Sequence, residues 1–83
     1  MLLPVQEEFQ TNATLKRVGN RVKAVRTEQG ELSQEALARE IGVSWITISR
    51  LERGVGKSLD LDRLHDIARA LRVPVEHLLE DAA

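Results

Sequence analysis

From Leu15 onward the apolar residues recur at helical spacing, and no stretch alternates long enough to predict a strand. Leu15, Val18, Val22 and Val25 step by three, four and three, which makes one stripe of an amphipathic helix. Gly30 supplies a left-handed stop behind it. Gly19 weakens the middle of this segment, so the helix has an alternative start near Asn20. Ser33 is the predicted N-cap of a second helix that turns Leu37, Ala38 and Ile41 inward and stops at Gly42. Ser44 caps a third, running to about Arg53 before Gly54. On it Ser44, Thr47, Ile48 and Leu51 share one face, while Trp45, Ile46, Ser49, Arg50 and Arg53 point elsewhere. Gly54–Leu59 reads as a loop. Asp60 then caps a fourth helix with Leu61, Leu64, Ile67, Ala68 and Leu71 as its stripe. Pro74 opens a short fifth with Val75, Leu78 and Leu79.

The start of the chain does not extend this pattern. Were Pro4 to open one helix continuous with the first, Leu2, Val5 and Phe9 would project opposite the Leu15–Val25 stripe. Either the chain breaks around Thr11–Thr14, or the early set covers another surface, such as a second chain. Residues 1–13 are accordingly expected to be an N-terminal extension and residues 14–83 the folded domain.

Composition narrows the class. Eighty-three residues, 42% apolar and 30% charged, suit one small folded domain. Cysteine is absent, which removes disulfides and thiolate chemistry and suits a reducing cytoplasm. No run approaches membrane-spanning length, and no secretory signal opens the chain, so a cytoplasmic protein with no membrane partner is expected. The net charge of −1 conceals a division. Residues 1–13 carry only two acids, residues 14–57 hold nine Lys/Arg against five Glu, and residues 58–83 hold three Arg against six acids. A basic middle is what an anionic partner requires.

The informative segment is LSQEALAREIGVSWITISRLERG, Leu32 to Gly54. Two short helices joined through a glycine, the second with a polar and basic face off the core, describe a helix-turn-helix. With its basic first helix and its L-S-Q, G-V-S, T-I-S and E-R-G markers, the segment resembles the phage-repressor/Cro (XRE-type) helix-turn-helix regulators, over roughly Gly19 to Leu79. The resemblance implies an all-α, compact five-helix lambda-repressor-like DNA-binding domain. It implies a transcriptional regulator that binds double-stranded DNA as a homodimer on a roughly palindromic operator, the third helix lying in the major groove. No enzyme activity, cofactor or metal is expected.

Carried over residue by residue, the resemblance makes Ala38, Gly42, Val43, Ile48 and Leu51 packing positions. Arg26 and Glu52 become a structural salt bridge, and Ser44, Trp45, Ile46 and Arg50 the base-reading positions. Arg50 has the planar fork that suits guanine. Trp45 and Ile46 depart from the polar residues usual there: they could pack on thymine methyls or sugar edges, or instead form a protein contact. Arg21, Lys23, Ser33, Gln34, Ser49, Arg53 and Lys57 are candidate phosphate contacts, each singly also readable as an ordinary surface group. Leu2, Val5 and Phe9, or Val73, Val75 and Leu78, could form the dimer surface. The family's loops are shorter: Glu31 is an extra residue after the first helix, and the Gly54–Asp60 connection is about one residue longer than usual. The alternative function is a protein-interaction module on the same scaffold, for example an antitoxin-type subunit that binds a toxin or another protein. Gly54–Ser58 imitates the end of a phosphate-binding loop but lacks the earlier glycine and the preceding strand. His65 and His77 lack metal-ligand spacing.

Overall fold

The structure, a computed structural model, describes residues 4–29, 31–56 and 58–80, with side chains from Ala13 onward. Its helices are α1 (Pro4–Gln29), α2 (Gln34–Ile41), α3 (Trp45–Glu52), α4 (Leu61–Leu71) and α5 (Val75–Leu79). No strand occurs among the described residues. α3 packs on both α1 and α2, α4 closes against α2, and α5 bridges α1 and α4.

α1 is unbroken over its 26 residues, roughly 39 Å at 1.5 Å per residue. It passes through Thr11–Thr14 and through Gly19, so neither the break nor the later start occurs. Gly19 disfavours a helix by about 1 kcal/mol, but here it makes a packing contact possible. A Cβ on Gly19 would meet the carbonyl oxygen of Leu51 and lie 2.6 Å from that of Glu52. The bare backbone therefore lets the end of α3 sit directly on α1. Leu2 lies outside the described residues, and so do the side chains of Val5 and Phe9.

The α2–turn–α3 unit is built from its caps. The Ser33 hydroxyl accepts from the Ala36 N–H at 3.0 Å, satisfying one of the orphan donors that every helix start leaves. Gly42 ends α2 in the left-handed region at φ 76°, its N–H donating to the Ala38 carbonyl. Gly42 is thus exposed and shapes the turn instead of filling the core. Ser44 restarts the chain, accepting from the Ile46 N–H at 3.2 Å. Gly30 is outside the described residues; a positive φ falls on the extra residue, Glu31.

Val18, Val22, Val25, Leu37, Ala38, Ile48, Leu64, Ile67, Ala68, Leu71 and Leu78 form one aliphatic core, with Val43 and Leu51 partly buried against it. Two residues of the predicted stripes are exposed instead, and one of them, Leu79 at the end of α5, is 38% exposed. The other, Leu61, is 56% exposed, because it opens α4 at the edge of that helix's stripe. Leu78 is fully buried, which removes it from the candidate dimer contacts.

Inside this core lies one ion pair. The Arg26 Nε donates to Glu52 Oε2 at 2.6 Å and its Nη2 to Oε1 at 3.0 Å, a bidentate fork. The Arg26 Nη1 donates to the Leu32 carbonyl at 2.6 Å, and the Gln34 amide donates to Glu52 Oε1 at 2.9 Å. The two charged side chains are only 9% and 2% exposed. Among the described residues no buried side-chain polar atom lacks a partner. The network ties α1, the loop before α2, α2 itself and the last residue of α3 together.

Two stability predictions follow from these contacts. Gly19→Ala must push α3 off α1 and should cost about 2–3 kcal/mol in urea unfolding, an overpacking penalty without relief from a rotamer change. Glu52→Ala should cost about 3–5 kcal/mol by leaving a buried guanidinium unpaired, whereas the double change Arg26→Met with Glu52→Leu should recover most of that loss.

Candidate nucleic-acid interface

α3 divides lengthwise. Ile48 and Glu52 are buried and Thr47 and Leu51 partly so, while Trp45, Ile46, Arg50 and Arg53 are exposed and Ser49 half-buried. Trp45 and Ile46, the first two residues of the helix, are 51% and 52% exposed. Ser44 is exposed beside them, its oxygen engaged as the cap and its hydroxyl proton available to donate. Arg50 lines a cleft of about 250 Å³ between α1, α3 and the loop before α4. Its guanidinium has no hydrogen-bond or ion-pair partner among the described residues, whereas the Arg53 Nε turns back to the Ser49 carbonyl at 3.3 Å.

On the other flank of α3 a polar cleft of about 440 Å³ is lined by Lys16, Asn20, Lys23, Gln34, Ser49, Glu52 and Arg53. Three cations face one carboxylate there, and that carboxylate is already held by Arg26 and Gln34. The cleft therefore presents net positive charge beside the exposed face of α3. Lys23, Gln34, Ser49 and Arg53 come together in it as a set, and Ser33 caps α2 one residue before Gln34. Sequence reasoning missed Lys16 and Asn20. Their signal was available, since 16, 20 and 23 follow the i, i+4, i+7 spacing of one helix face.

Arg21 does not join this group. It lies about 160° around α1 from Lys23 at 100° per residue, on the far side of the core stripe. Its Nε donates to the His77 carbonyl at 2.9 Å, its Nη2 donates to the His77 ring Nε2 at 3.0 Å, and the same nitrogen stands 3.5 Å from Glu80. Arg21 thus fastens α5 to α1 and is withdrawn from the candidate phosphate contacts. Lys57 lies outside the described residues. Val73 and Val75 are partly buried against the core. Among the described residues no cluster of His or acidic side chains could hold a metal, and no helix is long and apolar enough to cross a membrane.

A chemistry of anion attraction, hydrogen-bond donation and apolar contact is thus arranged along one rod and its margin. The sequence model of the helix-turn-helix family matches residues 22–78. An uncharacterized transcriptional regulator in the ATPase CF(0) region of Rhodospirillum rubrum is 47% identical over 64 residues, which are 77% of this chain and 57% of the relative. A regulator of Sinorhizobium medicae is 37% identical over 65 residues, 78% of this chain and 45% of its own. The chain spans about half the length of these two relatives. Control protein C.BamHI of Bacillus amyloliquefaciens is 34% identical over 84% of this chain and 85% of its own. The crystal structure of the restriction-modification controller protein C.AhdI from Aeromonas hydrophila is similar with a TM-score of 0.74 at 33% identity, covering 81% of this chain and 94% of that one. The chain belongs to the helix-turn-helix DNA-binding family of the XRE (Cro/C1) type.

Proposed function

We propose that this protein is a sequence-specific transcriptional regulator that binds a roughly palindromic operator as a homodimer, with α3 in the major groove. The observation that carries the reading is the division of α3: one face is pinned into the core by Ile48 and Glu52, and the other offers Trp45, Ile46 and Arg50 to solvent beside a positively charged cleft. A bare helix is narrow enough for a groove about 12 Å wide. Ser44, Trp45, Ile46 and Arg50 would meet base edges. Lys16, Lys23, Ser33, Gln34, Ser49 and Arg53 would meet phosphates on the side of the polar cleft and fix the register.

A domain this small buries little surface on its own, and pairing two recognition helices about 34 Å apart supplies the rest. Val73 and Val75 are the remaining candidate dimer contacts among the described side chains. The similarity to two controller proteins along most of their lengths favours a compact regulator of the controller kind.

Selection from a random DNA pool followed by fluorescence anisotropy tests this. Enrichment of an inverted repeat bound by a dimer, as judged by sedimentation, is the expected outcome. Arg50→Ala should cost about 1–3 kcal/mol and relax specificity at one base pair. Lys23→Ala should flatten the plot of log K against log[salt] by about one per half-site, while Arg21→Ala should leave that slope unchanged. Binding that is absent, or insensitive to salt, would instead favour the protein-interaction module.

A further inference from the structure

The helix that enters the proposed interface begins with two residues that cannot read bases by hydrogen-bond patterns. Ile46 has no polar atom, and the Trp45 indole has a single donor and no acceptor. Both are about half exposed, at the end of α3 remote from its anchor at Glu52. Helix-turn-helix proteins bring the N-terminal residues of this helix closest to base edges.

What such a surface selects follows from the chemistry of the groove. Guanine O6 and N7, adenine N7 and N6, and cytosine N4 are hydrated polar groups, and covering them with alkyl or indole carbon strips water without returning a partner. A pyrimidine C5-methyl group is the one alkyl group on the major-groove edge. Charge complementarity brings the surface to DNA in the first place, since Arg50 and Arg53 stand on the same exposed side of α3 and Lys16 and Lys23 line the cleft beside it.

Resting on the proposed reading of α3, we infer that Trp45 and Ile46 form a 5-methylpyrimidine reader: each operator half-site carries at least one thymine recognised through its C5-methyl group. The same surface accepts 5-methylcytosine in preference to cytosine, because the distinguishing group is the methyl and not the Watson–Crick pattern. Sequence readout by Trp45 and Ile46 is therefore by shape and desolvation, and Ser44 and Arg50 supply the polar readout.

The test changes the DNA and leaves the protein intact. In the operator selected by the wild-type chain, each thymine is replaced singly by deoxyuridine, and affinity is measured by anisotropy, with the emission of Trp45, the sole tryptophan, as a second readout. Loss of about fourfold per methyl at one or two positions in each half-site is expected, the effect of withdrawing roughly one buried methyl group. At those positions cytosine should bind more weakly than 5-methylcytosine by a similar factor. In Ile46→Ala or Trp45→Ala, with folding checked by circular dichroism, the uracil penalty should shrink at the matching position, since the two changes remove one shared contact. Uracil equal to thymine at every position, with tight specific binding retained, would overturn the methyl-reader inference and leave the regulator reading standing. Failure to enrich any sequence would remove both.

Discussion

The buried fork between Arg26 and Glu52 is the constraint on which the interface depends. Glu52 is the last residue of α3, and its carboxylate is held by two nitrogens of Arg26 from α1 and by the Gln34 amide from α2. A short helix of eight residues has little stability alone and takes its orientation from whatever grips it. Here the grip is at the C-terminal end. Gly19 completes it, because only a residue without a Cβ lets the carbonyls of Leu51 and Glu52 come down on α1. With one end clamped and Ile48 seated in the core, the N-terminal turn of α3 needs no further protein contact, and Trp45 and Ile46 stay outside.

The same network settles the electrostatics of the neighbouring cleft. A free glutamate between Lys16, Lys23 and Arg53 would offset much of their field. Because Glu52 already accepts from Arg26 and Gln34, its charge is balanced within the fold, and the lysines act on what lies outside. Gln34 also shows how one side chain can serve two ends: its amide braces Glu52 while the residue lines the cleft. The basic residues of the central segment thus divide by task. Arg26 stabilises the interior, Arg21 secures α5 through His77 and Glu80, and Lys16, Lys23, Arg50 and Arg53 are exposed around α3. Net charge alone hides that division.

Periodicity made the core legible. Leu15, Val18, Val22 and Val25, Leu37 and Ala38 of α2, and most of the α4 stripe are buried where their spacing puts them, and Ile41 packs partly buried against them. Cap chemistry placed the starts of α2, α3 and α4 at Ser33, Ser44 and Asp60. What spacing could not disclose were contacts between elements. Gly19 reads locally as a weak point in a helix, and only the proximity of α3 shows why it belongs there. Arg21 and Lys23 look alike as two basic residues in one helix; a rotation of about 160° sends one to α5 and the other to the cleft. Leu78 reads as an available apolar residue until α1 and α4 close over it. Lys16 and Asn20 went unnoticed for the converse reason, since their significance lies in standing opposite Gln34 and Ser49 across a gap that no single helix reveals.

These contacts bear directly on how the proposed reading of DNA would operate. Long polar side chains can swing to find a base edge, so they tolerate some error in the placement of their backbone. Isoleucine is stiff at its branched Cβ, and an indole is rigid beyond two torsions, so neither can reach for a displaced methyl group. Their advantage is that little side-chain freedom is lost on binding. Their requirement is that the helix itself arrive in the right place. An interface read through Trp45 and Ile46 therefore places its demand for accuracy on the backbone of α3, and hence on the Arg26–Glu52 fork and the Gly19 contact at the opposite end of that helix. In this protein the burial of one ion pair and the absence of one Cβ would be determinants of specificity, although neither group stands at the surface that meets the DNA.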